Sequence, residues 1–391
     1  MTSIERHEKR YQRRKIKREE KRLMRSKACG DLEKVFSYSN LYNSGHKCSK
    51  GVAWKCSTQQ YRINIVTNTA IARKQILEGT YKSKGFVEFQ LYDRGKWRRI
   101  RAVHIGERVV QRTLCDELII PVFTPALIYD NGASMKGKGI DFAMNRLECH
   151  LKRHYRKHGL KGGILVFDFS DYFGTADHEP VRKELEKRVH DPRLRNMANM
   201  FLDNFGPIGY GLGSQISQIS AIMLPNKLDH YIKEQLQIKG YGRYMDDGYL
   251  IHEDIDYLKH CLEEIDKICN SLGITLNRKK TKIVPIQKGI TFLKTKFILT
   301  DTGRALRKMS RISIRVMKRK LYKFRKWVNS GKFTTEDVRT SYESWRGHMR
   351  RGNSYKAVCR VDDYFKRLFG FHPNKIDTPS GRTGLVGRVI D

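Results

Sequence analysis

Two stretches, Gly163-Ile164-Leu165-Val166-Phe167-Asp168-Phe169 and Tyr244-Met245-Asp246-Asp247-Gly248-Tyr249-Leu250-Ile251, decide the fold. The first is a short run that stays apolar on both faces, so it predicts a strand central in a sheet. The second reads as strand, tight turn, strand. Asp168 then closes a buried strand, and Asp246 and Asp247 stand at a hairpin tip. Carboxylates in such places are costly unless positive charge meets them. From these residues alone two explanations stay open: ion pairs with Lys or Arg, or ligation of divalent cations. Magnesium takes carboxylates together with substrate phosphates. Two such ions about 4 Å apart activate a 3′-hydroxyl and stabilise a departing pyrophosphate. An Asp-Asp turn with a single Asp on an apolar strand about 80 residues earlier has the pattern for that chemistry.

Working outward, His178 to Arg188 reads as a helix and Ile219 to Gln237 as a second, long one, after the Gly-rich loop Gly206 to Gly213. Ile255 to Leu272 reads as a third. Strand, helix, helix, hairpin, helix is an α+β order with antiparallel strands. Upstream, Phe86 to Leu91 and Ile100 to Ile105 read as strands, Glu107 to Leu118 and Asp141 to His158 as helices, and Asn131 to Gly139 as a loop. Residues 1–27 hold twelve basic and four acidic residues and read as a basic helix or arm. Residues 28–60, rich in Gly, Ser, Asn and Lys, read as loop. Residues 300–372 are basic and mostly helical (Ile312 to Trp327, Thr335 to Arg350), and the tail after Pro373 reads as loosely attached.

The chain has 391 residues, with 78 Lys and Arg against 41 Asp and Glu, a net charge of +37. A folded chain so charged repels itself unless an anionic partner neutralises it. The excess runs through the whole length, which favours nucleic acid over a membrane surface. No apolar run is long enough for a transmembrane helix, and the N-terminus has no signal-peptide core, so the cytoplasm is the expected compartment. The eight cysteines are scattered, with no CxxC pair. His46, Cys48 and Cys56 fit no common zinc spacing.

With these residues on the page, the chain resembles the reverse transcriptase family over residues 85–300. Tyr244-Met245-Asp246-Asp247 matches the family's YxDD box, and Asp168-Phe169-Ser170-Asp171-Tyr172-Phe173 its first catalytic motif. The resemblance implies that Asp168, Asp246 and Asp247 hold two Mg²⁺ ions (Mn²⁺ as an alternative), with Phe169 lending its carbonyl. It places Phe173 under the sugar, where a bulky side chain blocks a 2′-hydroxyl. Gly95 to Ile100 resembles the strand that holds the incoming triphosphate, with Arg99 the main contact and Lys96 the second. Glu107-Arg108-Val109-Val110-Gln111 resembles the helix that follows, and Asn131 to Gly139 the template-side loop. Leu272 to Thr281 resembles the motif after the hairpin, in which Lys280 approaches the triphosphate. Phe292-Leu293 resembles the primer-grip turn, although Lys294 replaces the usual glycine.

One departure narrows the resemblance. Where most members carry Gln-Gly-x-x-x-Ser-Pro, this chain has Leu212-Gly213-Ser214-Gln215-Ile216-Ser217-Gln218. An aliphatic residue for Gln and Gln218 for Pro resemble the enzymes of diversity-generating retroelements, which copy template adenines with errors. Physically, a Gln hydrogen-bonds the incoming nucleotide and Leu212 does not.

The expectation is therefore a right-hand polymerase: a basic extension (1–60), fingers and palm (61–300), a helical thumb (301–372) and a tail (373–391). It copies an RNA template with dNTPs from a DNA or RNA primer, with a structured non-coding RNA and an accessory protein as further partners and no membrane. A defence-associated (antiphage) or retron-like enzyme, RNA synthesis on RNA, and a catalytically silent nucleic-acid binder are the rival readings. Phe173 speaks against RNA synthesis. The three intact carboxylates speak against the silent binder, since negative charge repels phosphate.

Overall fold

The computed structural model describes residues 3–93 and 96–373, without the side chains of Ser3, Ile4, Asp93 and Lys96. The tail reading from residue 374 onward lies outside the described residues. The chain divides into two compact units, residues 1–150 with 162–284, and residues 151–161 with 285 onward.

The first unit opens with α1 (Ser3–Cys29), a long and largely exposed basic helix. Then come α2 (Leu32–Val35), α3 (Tyr38–Ser49), α4 (Cys56–Ile63) and α5 (Ile65–Leu77). The loop expected over 28–60 is thus mostly helix. Asp31 and Ser37 cap α2 and α3 by accepting from Lys34 and Asn40 backbone N–H groups. α3 buries Leu41 and Cys48 together with the small residues Ser44, Gly45 and Ser49. A Cβ on Gly45 would come within 2.8 Å of Ile65 on α5.

The chain continues through β1 (Phe86–Asp93) and β2 (Lys96–Val103), an antiparallel pair, to α6 (Ile105–Leu114). A wide π-type turn (Cys115–Ile119) leads into α7 (Ile120–Phe123), and α8 (Ile140–His158) follows. Next come β3 (Gly163–Asp168), α9 (Tyr172–Thr175), α10 (Glu179–Arg188), α11 (Pro192–Asp203), α12 (Gln215–Met223) and α13 (Asn226–His230). The helix expected over 219–237 is therefore broken. Pro225, which has no N–H to donate, stands between α12 and α13, and a π-type turn (Tyr231–Gln235) ends the segment.

β4 (Gly240–Tyr244) and β5 (Asp247–His252) form the hairpin, α14 (Ile255–Ser271) follows, and β6 (Lys282–Pro285) completes a sheet of order β4-β5-β3-β6. β3 lies inside that sheet and is buried along nearly its whole length, as its two apolar faces predict. α14 buries Leu258, Cys261, Ile265 and Cys269, one stripe at helical spacing, and packs on β3 and β5. Asp254 caps it by accepting from the backbone N–H groups of Asp256 and Tyr257.

In the second unit β7 (Ile290–Phe292), β8 (Thr295–Leu299) and β9 (Ala305–Met309) form a three-stranded antiparallel sheet. Gln287 Nε2 donates to the Leu160 carbonyl at 2.8 Å, and Tyr155 donates to the Asp301 carbonyl. Helices α15 (Arg311–Asn329), α16 (Thr335–Met349) and α17 (Tyr355–Phe369) share a core of Leu321, Phe324, Val338, Tyr342, Val361 and Phe365. Inside it Arg346 pairs with Asp362 at 2.9 Å.

Candidate active site

β3 and the β4–β5 hairpin bring the three carboxylates to one end of the sheet. Asp168 is the cross-strand partner of Asp247, and Phe167 that of Gly248. A Cβ on Gly248 would lie 2.2 Å from the Phe167 ring, so glycine directly after the doublet lets the strands close. Met245 and Asp246 make the turn, and Met245 holds φ 55°. That left-handed conformation costs a non-glycine residue on the order of 1 kcal/mol.

Arg243 holds the turn in place, since its Nη1 donates to the Met245 carbonyl at 2.7 Å. Its Nε and Nη2 donate to Asp229 Oδ1 and Oδ2 at 2.8 and 2.6 Å, and both residues are wholly buried. Tyr241 donates to the same carboxylate at 2.5 Å, and Arg243 Nη2 also to the Ile222 carbonyl at 3.1 Å. Burial alone lowers the Arg243 pKa, but Asp229 outweighs it and holds it above the ordinary value.

Asp246 and Asp247 are in the opposite condition. Burial and the Asp168 charge push the Asp246 carboxyl up. For Asp247, burial and then the charges of Asp246 and Asp168 push it up to about 7, and it shares a hydrogen bond with Asp168. Lys280 Nζ stands 2.7 Å from Asp168 Oδ2, and that bond raises the lysine's own pKa. Asn277 braces Asp168 twice. Its Nδ2 donates to Oδ1 at 3.1 Å and its backbone N–H to the Asp168 carbonyl at 2.8 Å.

One lysine against three carboxylates leaves a deficit of positive charge. Hard oxygen donors with that deficit suit divalent cations. Among the described residues no three His, Cys, Asp or Glu side chains close into a ligand cage of their own.

Asp168, Phe169, Asp246, Asn277 and Lys280 line a cavity of about 620 Å³, together with Phe173, Tyr210 and Leu212 and with Trp97, Arg98, Arg99 and Arg101 of β2. Of the residues singled out in the sequence, Arg99, Asp168, Phe169, Phe173, Leu212, Asp246 and Lys280 meet there. Asp247 joins them through its pairing with Asp168. Gly213 and Gln218 instead line a second cavity. The Lys96 side chain lies outside the described residues. Phe292 and Leu293 belong to the second unit, at the end of β7 and in the β7–β8 turn. Leu293 and Lys294 there hold φ 47° and 65°, the left-handed pair that a two-residue hairpin requires and glycine usually supplies.

Four residues of this site went unassigned in the sequence reading. Arg99 is held by Glu88 at 2.5 Å. Arg101, two positions on and so on the same strand face, donates from its backbone to the Leu212 carbonyl at 3.2 Å and from Nη1 to the Phe205 carbonyl at 2.6 Å. Gly213, next to Leu212, holds φ +117°. The buried Glu107 accepts from Ser83 (2.8 Å), the Lys84 N–H (2.7 Å), Gln111 (3.0 Å) and Asn204 (3.2 Å), and Ser214 donates to Gln111 at 2.7 Å. This chain of bonds ties α6 to the Gly213 loop. Strand alternation with Arg99 could have flagged Arg101, and proximity to Lys280 and Tyr244 could have flagged Asn277 and Arg243. Nothing local links Glu107 to Asn204.

Residues 82–297 match the model of the family described as reverse transcriptase (RNA-dependent DNA polymerase). The chain belongs to that family. The family is one of RNA-dependent DNA polymerases, the α+β architecture is that family's right-hand polymerase fold, and the family generally uses divalent metal ions. No curated protein matches the chain in sequence. Among solved structures it is similar to a telomerase from Candida albicans in complex with a TWJ fragment of telomeric RNA. That match has 12% identity and a TM-score of 0.45, over 79% of this chain and 65% of the other. It is also similar to an apo telomerase from Candida tropicalis, with 11% identity and a TM-score of 0.43, over 77% of this chain and 66% of the other. The chain thus spans just under two thirds of the length of these structures. No described helix of this reverse transcriptase family member is long and apolar enough to cross a membrane.

Proposed function

We propose that this chain copies an RNA template into DNA by adding deoxynucleotides to a primer 3′ end, with Asp168, Asp246 and Asp247 holding two Mg²⁺ ions. The observation that carries the reading is the cavity lined by Asp168 and Asp246, with Asp247 paired to Asp168 beside it, and by the arginines of β2. Bound there, the ions would activate the 3′-hydroxyl and stabilise the pyrophosphate leaving group. Phe169 supplies a backbone carbonyl beside Asp168. Asn277 keeps the Asp168 carboxylate turned toward the cavity, and Lys280, with Arg99, Arg101 and Lys96, holds the triphosphate. Phe173 closes the space a 2′-hydroxyl would need. Residues 61–300 act as fingers and palm and 301–372 as thumb, with Phe292 and Leu293 gripping the primer.

The finer reading is error-prone copying of the kind found in diversity-generating retroelements. Leu212, which borders the nucleotide cavity, supports it, because an aliphatic side chain offers the base no hydrogen bond. Gly213 and Gln218 shape the other side of the same loop. An RNA template, a DNA or RNA primer and dNTPs are the substrates. The net charge of +37 favours a structured RNA and an accessory protein as partners.

Primer extension on a defined RNA template with Mg²⁺ and dNTPs, followed by sequencing of the product, tests both levels. Product with errors concentrated opposite adenines supports the retroelement reading. Faithful product keeps the polymerase and moves it toward the retron or defence enzymes. No product, with co-purified RNA and partners supplied, sinks the catalytic reading.

A further inference from the structure

Phe173 stands on α9, a single helical turn entered through Asp171 at φ 40°. A turn that short has little stability of its own, so what holds Phe173 in place comes from outside it. Residues 208–210, which line the same cavity, supply that hold. The Tyr210 backbone N–H donates to the Phe173 carbonyl at 2.7 Å, and the Gly209 N–H to the Ala176 carbonyl at 2.7 Å. Asp177 and Ile208 form an antiparallel bridge, and the Tyr210 hydroxyl donates to the Asp177 carbonyl at 3.2 Å. Gly209 holds φ +86°, and a Cβ there would lie 2.7 Å from the Gly174 carbonyl oxygen. Residues 208–210 are thus a strap laid backbone to backbone against the turn that carries Phe173.

His178 closes the strap. It lies just before α10, is 2% exposed and does not line the cavity. Its Nε2 stands 2.7 Å from the Gly209 carbonyl. A carbonyl oxygen only accepts, so Nε2 carries a proton and donates it. The imidazole also stacks on Tyr210, with ring centroids 5.4 Å apart and planes within 5°. Nδ1, in contrast, is buried and meets no hydrogen-bond partner among the described residues. A buried polar atom without a partner costs stability, so packing alone would be better served by an apolar ring. What the imidazole adds over such a ring is one N–H, aimed at Gly209.

We propose that His178 is a positioning residue for sugar selection: through its bond to Gly209 and its stack on Tyr210 it fixes the strap that keeps Phe173 where a 2′-hydroxyl would sit. The proposal rests on the polymerase reading above. A steric wall selects only while it cannot retreat, and a hydroxyl is small enough that a slight retreat admits it. His178 stays away from the reacting atoms and acts through Phe173.

The test is single-nucleotide extension on an RNA template by the full-length protein, with kcat and KM measured for a dNTP and for the matching rNTP. The readout is the ratio of the two kcat/KM values. His178→Phe keeps a ring to stack and removes the N–H. It should lower the ratio about 2–10-fold, the span of one hydrogen bond, with the dNTP kcat little changed. His178→Gln, whose amide N–H reaches for the same carbonyl, should recover most of the ratio. In a Phe173→Val background His178→Phe should lower the ratio no further, because the wall it positions is already gone. A His178→Phe protein that loses activity on both nucleotides alike, or whose loss of selectivity adds in full to that of Phe173→Val, overturns the proposal and leaves His178 a packing residue. If His178→Phe fails to fold, His178→Asn, shorter and still polar, carries the test with the same expected fall, and an unchanged ratio has the same meaning. Extension by the wild type with an unchanged ratio in the variants removes the role of His178 alone. Absence of wild-type extension removes the polymerase reading and the proposal with it.

Discussion

Two ionic clusters meet at the β4–β5 hairpin, one through Arg243 and the other through Asp246 and Asp247, and they are balanced in opposite ways. Around Asp229, a bidentate arginine and a tyrosine hydroxyl meet both carboxylate oxygens in a wholly buried setting. Around Asp168, Asp246 and Asp247, three carboxylates share one lysine, and Asp246 and Asp247 are pushed toward their neutral forms. A compensated buried pair has no charge left for a ligand, so its role is to hold the hairpin. An uncompensated trio destabilises the fold by itself, and the cations proposed for it would relieve that repulsion. The β4–β5 hairpin thus carries a rigid support at Arg243 and, at Asp246, the end proposed to be reactive.

The largest way to break that comparison is at the reactive end. Asp246→Asn should lower single-nucleotide extension about a thousandfold or more. Its melting temperature should be equal or higher, because repulsion is relieved. A variant that keeps its activity would remove Asp246 from the site. The support should behave in reverse. Asp229→Ala leaves Arg243 buried and unpaired and should destabilise the fold by about 3–5 kcal/mol in denaturant titrations. A variant of wild-type stability would mean that the pair is not the brace described.

The balance also has a pH signature. Asp247 is near 3.8 when unfolded and about 7 when folded. Below about pH 4 it is protonated in both states. As pH rises from about 4 to 7 the unfolded chain releases the proton more readily, so ion-free stability falls and then levels off. Asp247→Asn should flatten that limb, and Mg²⁺ should offset it in the wild type. Thermal melts across this range, with and without Mg²⁺, give the answer. A smaller effect sharpens the contrast from outside both clusters. Phe173→Val should leave stability near wild type and reduce discrimination against ribonucleotides by about 10–100-fold, roughly 1–3 kcal/mol. Unchanged selectivity would return Phe173 to a packing role.

What the sequence disclosed follows the range of the interactions. β3 and the hairpin were legible because an apolar run and a turn doublet are local signals, and their carboxylates belong to those same segments. α3 was not legible. Its buried face is mostly small residues, Ser44, Gly45 and Ser49 beside Leu41 and Cys48, and the close approach of Ile65 explains the glycine. Pro225 breaks the helix, but the apolar period continues on both sides of it and reads as one helix. Arg243 read as one more basic residue in a basic chain, because its partner Asp229 sits on another element. The same holds for Glu107, whose donors include Ser83 and Asn204, 24 residues before it and 97 after it.

The most direct measurement of the central claim is a Mg²⁺ titration of primer extension on RNA, with wild type and Asp246→Asn of matched melting temperature. The account predicts product that rises with Mg²⁺ and vanishes with chelator in the wild type, and none in the variant. Product that is independent of divalent ions, or equal in both proteins, would contradict it.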